Sequence, residues 1–339
     1  MSVRAMICGC SGYELTPDET AFIREAQPWG LILFRRNVLT PLQVAALTAS
    51  FRDLVGRAEA PVLVDQEGGR VQRLGPPHWR KYPAGAAFER MIGATPAHRE
   101  YLVWAAARLM AEDLRVIGVN VDCLPVLDVP VEGGHDVIGD RAYSRDPALV
   151  ARLGAAAARG LIDGGVMPVM KHIPGHGRAG ADSHLELPVV TASRAELEAS
   201  DFAPFRACAG LPAAMTAHVV YTALDPDRPA TTSPVVIQEI VRGLIGFDGL
   251  LMSDDLSMKA LSGTFRDKAE ALTAAGVDMA LHCNGDLAEA AGVAEGAPLL
   301  AGDALRRAEA ALACLQVKSE DFDPVDALAQ IETGLAMMA

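Results

Sequence analysis

Aromatic residues make up only 5% of this 339-residue chain, with three tryptophans. A groove for a long sugar polymer offers a row of stacking rings, so their scarcity points to a small pocket fixed by hydrogen bonds. Positive charge is also short: 30 Lys and Arg against 43 Asp and Glu leave a formal net charge of −13. That balance argues against nucleic acid or an anionic membrane as a partner. No apolar run approaches the roughly 18 residues of a membrane span. The apolar run at Met1–Ile7 is too short for a secretory signal and continues into a strand. The six cysteines (Cys8, Cys10, Cys123, Cys208, Cys283, Cys314) contain no CxxC pair and read as small buried hydrophobes in a reducing compartment. A cytoplasmic monomer is expected. No GxGxxG follows the first strand, no GxSxG elbow occurs, and no glycine-rich segment ends in Gly-Lys-Ser/Thr. These absences weigh against dinucleotide binding, an elbow-type serine nucleophile and a phosphate loop.

What is there is an alternation. Short apolar runs read as strands at Ala5–Gly9, Gly30–Phe34, Pro61–Val64, Gly118–Asp122, Met167–Met170, Ala213–Ala217, Leu250–Met252 and Val277–Leu281. Their continuous hydrophobicity suits parallel strands covered on both faces. Helices start between them at Thr16-Pro17, Thr40-Pro41, Thr95-Pro96, Asp146-Pro147 and Ser233-Pro234. In each, the cap oxygen satisfies an orphan amide and the proline forfeits no bond. The clearest helical pattern runs from Pro96 to Val116, with Leu102, Val103, Ala106, Leu109, Met110 and Leu114 on one stripe. The pattern predicts an α/β chain folded as a (β/α)8 barrel of TIM type. Residues 1–339 would form a single catalytic domain, with C-terminal helices from about residue 285.

A barrel places its site at the C-terminal strand ends, and here those ends turn polar. Val64 is followed by Asp65-Gln66-Glu67-Gly68-Gly69-Arg70-Val71-Gln72-Arg73, Met170 by Lys171 and His172, Ala217 by His218, Met252 by Ser253-Asp254-Asp255, and Leu281 by His282. Pro125–Asp128 and Ile138–Arg141 lie on the long loop after the fourth strand. Taken singly, His218 and His282 read as satisfied core histidines, and Asp255 as the cap of a helix beginning near Leu256. The densest stretch runs from Lys171 to His184 and carries His172, His176, Asp182 and His184 beside a glycine-rich segment from Gly175 to Gly180 that reads as a loop hinge.

That stretch admits three chemistries. His172, His176, Asp182 and His184 are metal-ligand types, but Pro174-Gly175 spoils a helix that would align the first two. Asp182 and His184 would make a carboxylate–imidazole base, yet no serine or cysteine nucleophile accompanies them. Asp254 supplies one. A strand-end carboxylate facing a loop-borne proton donor is the requirement for retaining glycoside hydrolysis. An imidazole, with its ordinary pKa of about 6.5, serves as acid near neutral pH, and the Asp182 charge would favour its protonated form.

Together, the Asp65–Arg73 segment, Lys171-His172-Ile173-Pro174-Gly175-His176-Gly177 with Asp182-Ser183-His184, and Ser253-Asp254-Asp255-Leu256-Ser257-Met258 resemble the bacterial β-N-acetylglucosaminidases of glycoside hydrolase family 3, over roughly residues 5 to 285. The resemblance implies Asp254 as nucleophile and His184 as general acid/base with Asp182 as its partner. It implies Asp65, Arg73, Arg141, Lys171 and His172 as the residues holding the sugar in the −1 pocket. It also implies neither metal nor cofactor. The substrate would be a small sugar: a non-reducing terminal N-acetylglucosamine joined to 1,6-anhydro-N-acetylmuramic acid, with or without peptide, in cell-wall recycling. Ile173 stands where phenylalanine is usual, a change in packing under the loop. A histidine acid/base carries no negative charge, which leaves phosphate open as an acceptor alternative to water. A non-catalytic muropeptide-binding barrel would keep Asp65, Arg73 and Lys171 but has no use for both Asp254 and the Asp182–His184 pair.

Overall fold

A computed structural model of the chain describes residues 2–91, 95–183, 185–315 and 322–336. Eight parallel strands close into a barrel in chain order: β1 Arg4–Gly9, β2 Pro28–Leu33, β3 Val62–Val64, β4 Val121–Asp122, β5 Met167–Ile173, β6 Ala213–Thr216, β7 Leu250–Asp255 and β8 Met279–His282. β1 pairs with both β2 and β8, which completes the circle. The barrel and its surrounding helices make the expected (β/α)8 fold.

Side chains alternate across the pleat. Ile7, Ile32, Leu63, Val121, Val169, Met215, Met252 and Leu281 belong to one core cluster. Met6, Met170, Ala214 and Leu251 pack instead with the helical layer. The barrel interior is thus a packed plug with no channel, and ligand space can open only above it.

The helices begin where local chemistry placed them. Thr16 accepts from the Glu19 amide in a reciprocal capping box, and Thr40, Thr95 and Asp146 cap the helices Pro41–Val55, Pro96–Arg115 and Pro147–Asp163. The Thr40 box is only half made, because the Gln43 side chain accepts from Leu39. Past Ser233, whose hydroxyl accepts from Val236 at 3.1 Å, the chain winds as a π-helix over Val236–Leu244. Among the described residues the α-helices Leu287–Gly296, Gly302–Leu312 and Pro324–Ala336 follow β8. Among the described residues no helix is long and apolar enough to cross a membrane.

Strand boundaries differ from the sequence reading where they matter most. β5 continues three residues past Met170, and β7 runs through Asp255, so Lys171, His172 and Asp254 stand within strands, not after them. Hydrophobicity stops at Met170 and Met252, but backbone pairing does not: Lys171 registers with Met215 and Asp255 with Leu281. β4 is shorter than expected, because Gly118 lies in a turn at φ 77° against the Thr48 side chain. Leu63 is fully buried in the barrel plug. Leu63→Ala should lower unfolding free energy by about 2–5 kcal/mol, read as a fall in the urea midpoint.

Candidate active site

A cavity of about 470 Å³ opens at the C-terminal strand ends. Its floor is the top of the apolar plug, Ile32, Met215 and Leu281, and its walls are polar. Asp65, Arg73, Arg141, Lys171, His172, Asp182 and Asp254 all line it. Of the residues named from sequence only His184 lies outside the described residues.

One wall is a continuous ion network. Lys171, 1% exposed, donates from its ammonium to Asp65 Oδ1 at 2.8 Å and forms an ion pair with Glu67 Oε1 at 2.6 Å. Arg73 donates to the other Asp65 oxygen at 2.8 Å, and Arg141 grips Glu67 with two bonds of 2.8 Å. Burial works to raise the Asp65 and Glu67 carboxyls, but the cations beside them outweigh it and hold both below the usual carboxylate range. Lys171 is the mirror case: burial opposes its charge, and Asp65 and Glu67 together hold its pKa above the usual lysine value. Every member of the wall is ionised at neutral pH.

A small hairpin sets up this wall. Gln66–Gly68 pairs antiparallel with Val71–Gln72, and the buried Gln66 side chain accepts from the Arg73 and Leu74 amides and donates to the Leu74 carbonyl. The Gln66 amide is itself fixed by Asp122 at the end of β4. Asp65 and Glu67 are two apart on an extended segment, so both face the same ammonium. That spacing was the available signal for Glu67, which residue type alone left unassigned.

The second wall centres on Asp128, fully buried on the loop after β4. His172 Nδ1 donates to Asp128 Oδ2 at 2.7 Å, while Asp128 Oδ1 accepts from the backbone amides of His172 and His176 at 3.2 and 2.6 Å. Burial opposes the Asp128 charge, but His172 and these amides bring its pKa down to about 2. With Nδ1 committed as donor, Nε2 is the His172 nitrogen left for a ligand. Burial first, and then the neighbouring His172, draws the His176 imidazole down to about 4 against the pull of Asp128 and Asp254. Sequence reasoning missed Asp128 as the brace of both histidines, since its partners are far along the chain.

β7 supplies the third wall. Ser253 Oγ accepts from the Leu281 amide at 3.0 Å, and the Asp255 amide donates to Asp254 Oδ1 at 2.8 Å. Asp255 Oδ1 accepts from the Ser257 and Cys283 amides, tying the ends of β7 and β8 together. It braces a turn, whereas the next helix starts only at Phe265 under a Thr264 cap. His218 stays behind the wall, bonded through both ring nitrogens to Thr231 and the Asp255 carbonyl, and His282 pairs with Glu289. These two are core histidines and do not line the cavity.

The glycine segment departs from the hinge reading. A Cβ on Gly177 would lie 2.1 Å from the Val129 carbonyl oxygen, and one on Gly175 (φ 138°) would lie 2.9 Å from Asp201 Cβ. Tyr221 donates its hydroxyl to the Gly175 carbonyl at 2.6 Å, and Arg178 is tied to the buried Asp201 at 2.6 Å. These glycines permit close packing; only Gly180 has open space around it. Among the described residues no cluster of three or more His, Cys, Asp or Glu side chains is arranged to hold a metal. His172 and His176 stack edge to face at 5.7 Å with Asp128 beneath them, a buried hydrogen-bonded pair.

A carboxylate on a rigid strand, facing cations and a donor-rich wall above an apolar floor, fits an uncharged polyhydroxylated ligand. Residues 9–307 match the family described as glycosyl hydrolase family 3 N terminal domain. The chain belongs to glycosyl hydrolase family 3. A β-hexosaminidase of Alkalilimnicola ehrlichii is 41% identical over 288 residues, covering 84% of this chain and 82% of that protein. The β-hexosaminidase of Tolumonas auensis is 42% identical over 280 residues, covering 80% of each. The crystal structure of NagZ from Neisseria gonorrhoeae in complex with N-trifluoroacetyl-D-glucosamine superposes with a TM-score of 0.85 at 32% identity, covering 100% of this chain and 99% of that one. This family 3 member is a glycoside hydrolase of the β-hexosaminidase kind and acts on sugars.

Two outcomes follow from the family 3 site's electrostatics. Glu67→Ala leaves the Arg141 charge buried without its carboxylate, and should cost about 3–5 kcal/mol of stability by urea unfolding. For His176, a folded pKa of about 4 lies below the unfolded value of about 6.5. Between these values the unfolded chain binds more protons, so this contribution is complete above about pH 6.5 and is lost as pH falls towards 4. Asp201, raised to about 6 chiefly by burial, works in the opposite sense: its contribution is complete below about pH 4 and lost as pH rises through 6. Comparing the chain with His176→Gln cancels the Asp201 part. The variant's urea midpoint should fall less than the parent's between pH 7 and pH 5.

Proposed function

We propose that this enzyme is a retaining exo-β-N-acetylglucosaminidase that removes the non-reducing terminal N-acetylglucosamine from peptidoglycan fragments. Its substrate is N-acetylglucosaminyl-1,6-anhydro-N-acetylmuramic acid, with or without peptide, and it works in cell-wall recycling in the cytoplasm. The observation that carries this reading is the placement of Asp254, at the end of β7, in one cavity with all five assigned sugar-binding residues and Asp182. The six unpaired cysteines support a reducing compartment.

The chemistry has two steps. Asp254 attacks the anomeric carbon as the glycosidic bond breaks, and His184, paired with Asp182, gives its proton to the departing oxygen. Neutral His184 then takes a proton from water; the resulting hydroxide equivalent attacks the anomeric carbon and releases the Asp254 carboxylate. Asp65, Arg73, Arg141, Lys171 and His172 hold the hydroxyls and the acetamido group of the sugar. Their pre-formed ion pairs keep these donors in place before substrate arrives, so little reorganisation accompanies binding.

Asp254→Ala should abolish cleavage of an aryl N-acetyl-β-glucosaminide, and a fluorinated mechanism-based sugar should label the peptide containing Asp254 in the parent enzyme. A label on Asp182 or Asp255 would reverse the assigned roles. Free N-acetylglucosamine should be released from the anhydro-disaccharide in phosphate buffer; a sugar 1-phosphate there would make the enzyme a phosphorylase.

A further inference from the structure

His176 is not used by the chemistry above, yet it is one of the most constrained side chains of the site. It is 3% exposed, its amide is held by Asp128 at 2.6 Å, and its ring lies edge to face with His172. Among the described residues its Nδ1 is buried without a hydrogen-bond partner, and its Nε2 meets the hydroxyl of Ser183 at 3.1 Å. Ser183 is equally buried. An apolar side chain of similar size would leave no orphaned nitrogen, and His176, unlike the half-satisfied core residue His282, lines the cavity. An orphaned buried N–H is rarer than an orphaned acceptor, which assigns the proton to Nε2 and makes Ser183 Oγ its acceptor.

The position of Ser183 gives this bond its consequence. The segment is anchored as far as Ala179, whose carbonyl accepts from the His135 amide at 2.9 Å. Gly180 then has open space, and the backbone that follows folds into a turn in which the Leu185 and Glu186 amides donate to the Asp182 carbonyl. Ser183 bonds that turn to His176, three residues past the end of β5. Asp182 precedes it, and His184 follows it in sequence.

We propose that His176 is a positioning residue, and that its bond to Ser183 clamps the turn carrying the acid/base against β5 so that proton delivery is aligned with attack by Asp254. The proposal rests on the assignment of the Asp182–His184 pair as acid/base. A displacement of about 1 Å in a reacting group costs up to on the order of a hundredfold in rate, so loss of the clamp should appear wherever protonation of the leaving group matters.

The test measures kcat/KM, which reports steps only through leaving-group departure, for 4-nitrophenyl and methyl N-acetyl-β-glucosaminides. The parent enzyme is compared with His184→Ala, Ser183→Ala, His176→Leu and His176→Gln, each checked by thermal melting. Ser183→Ala and His176→Leu should lose on the order of ten- to a hundredfold on the methyl glycoside while keeping most of their rate on the nitrophenyl one. His176→Gln, which places an amide donor near the position of Nε2, should recover most of the loss. If His176→Leu does not fold, Ser183→Ala, which deletes one oxygen, decides the matter. Equal losses on both substrates, or none, in Ser183→Ala beside a selective His184→Ala would overturn the clamp and leave the acid/base assignment standing. A His184→Ala variant that loses equally on both substrates would overturn that assignment, and the clamp with it.

Discussion

The ammonium of Lys171 holds this site together. It sits at the mouth of the barrel, away from solvent, and is tolerated there because two carboxylates from one hairpin close on it. Each of those carboxylates also takes an arginine, Arg73 on Asp65 and Arg141 on Glu67. The charges are interdependent: without the lysine, Asp65 and Glu67 would face each other as like charges, and without either carboxylate a guanidinium would lose its orientation. The wall therefore behaves as a unit. Asp65, Arg73, Arg141 and Lys171 of that wall line the same cavity as the carboxylate of Asp254.

Around that unit the fold separates rigid parts from adjustable ones. Asp254 is carried by a strand whose end is braced by Ser253 and Asp255 to the β8 end, which keeps its carboxylate in a fixed place. His172 is aimed by Asp128, whose other oxygen also receives the His176 amide. The segment after β5 is held among its described residues by the Arg178–Asp201 ion pair, the His135–Ala179 backbone bond and the His176–Ser183 bond. The retaining mechanism proposed for this site asks one carboxylate to stay in line with the anomeric carbon and the proton donor to serve first a leaving group and then a water.

Cavity shape explains what the composition implied. The apolar floor comes from Ile32, Met215 and Leu281, whose other neighbours are the packed plug of the barrel. Among the described residues lining the cavity, Phe34 is the one phenylalanine, tyrosine or tryptophan, and the walls are charged. The glycines at 175 and 177 add to this economy, because their missing side chains let the loop base lie directly on Asp201 and the Val129 carbonyl.

The sequence by itself determined the features that depend on near neighbours. Helix starts were legible because a cap and its amide are three residues apart, as Thr16 and Glu19 are. The eight strands and the barrel followed from apolar runs alternating with helical stripes, and Asp254, Lys171 and His172 were recognisable by type and by position at the strand ends. Tertiary structure alone decided the rest. Lys171 and Asp65 are 106 residues apart, and His172 and Asp128 are 44 apart, so nothing in either segment announces its partner. Strand ends were set by pairing across the sheet after hydrophobicity had stopped, which is why β5 and β7 carry the site inside themselves. His218 and His282, equally well placed in the chain, were turned into the core, where Thr231 and the Asp255 carbonyl take both ring nitrogens of His218 and Glu289 takes one of His282. The glycine segment looked like a hinge, since conformational freedom is local, but close packing against distant backbone made most of it fixed.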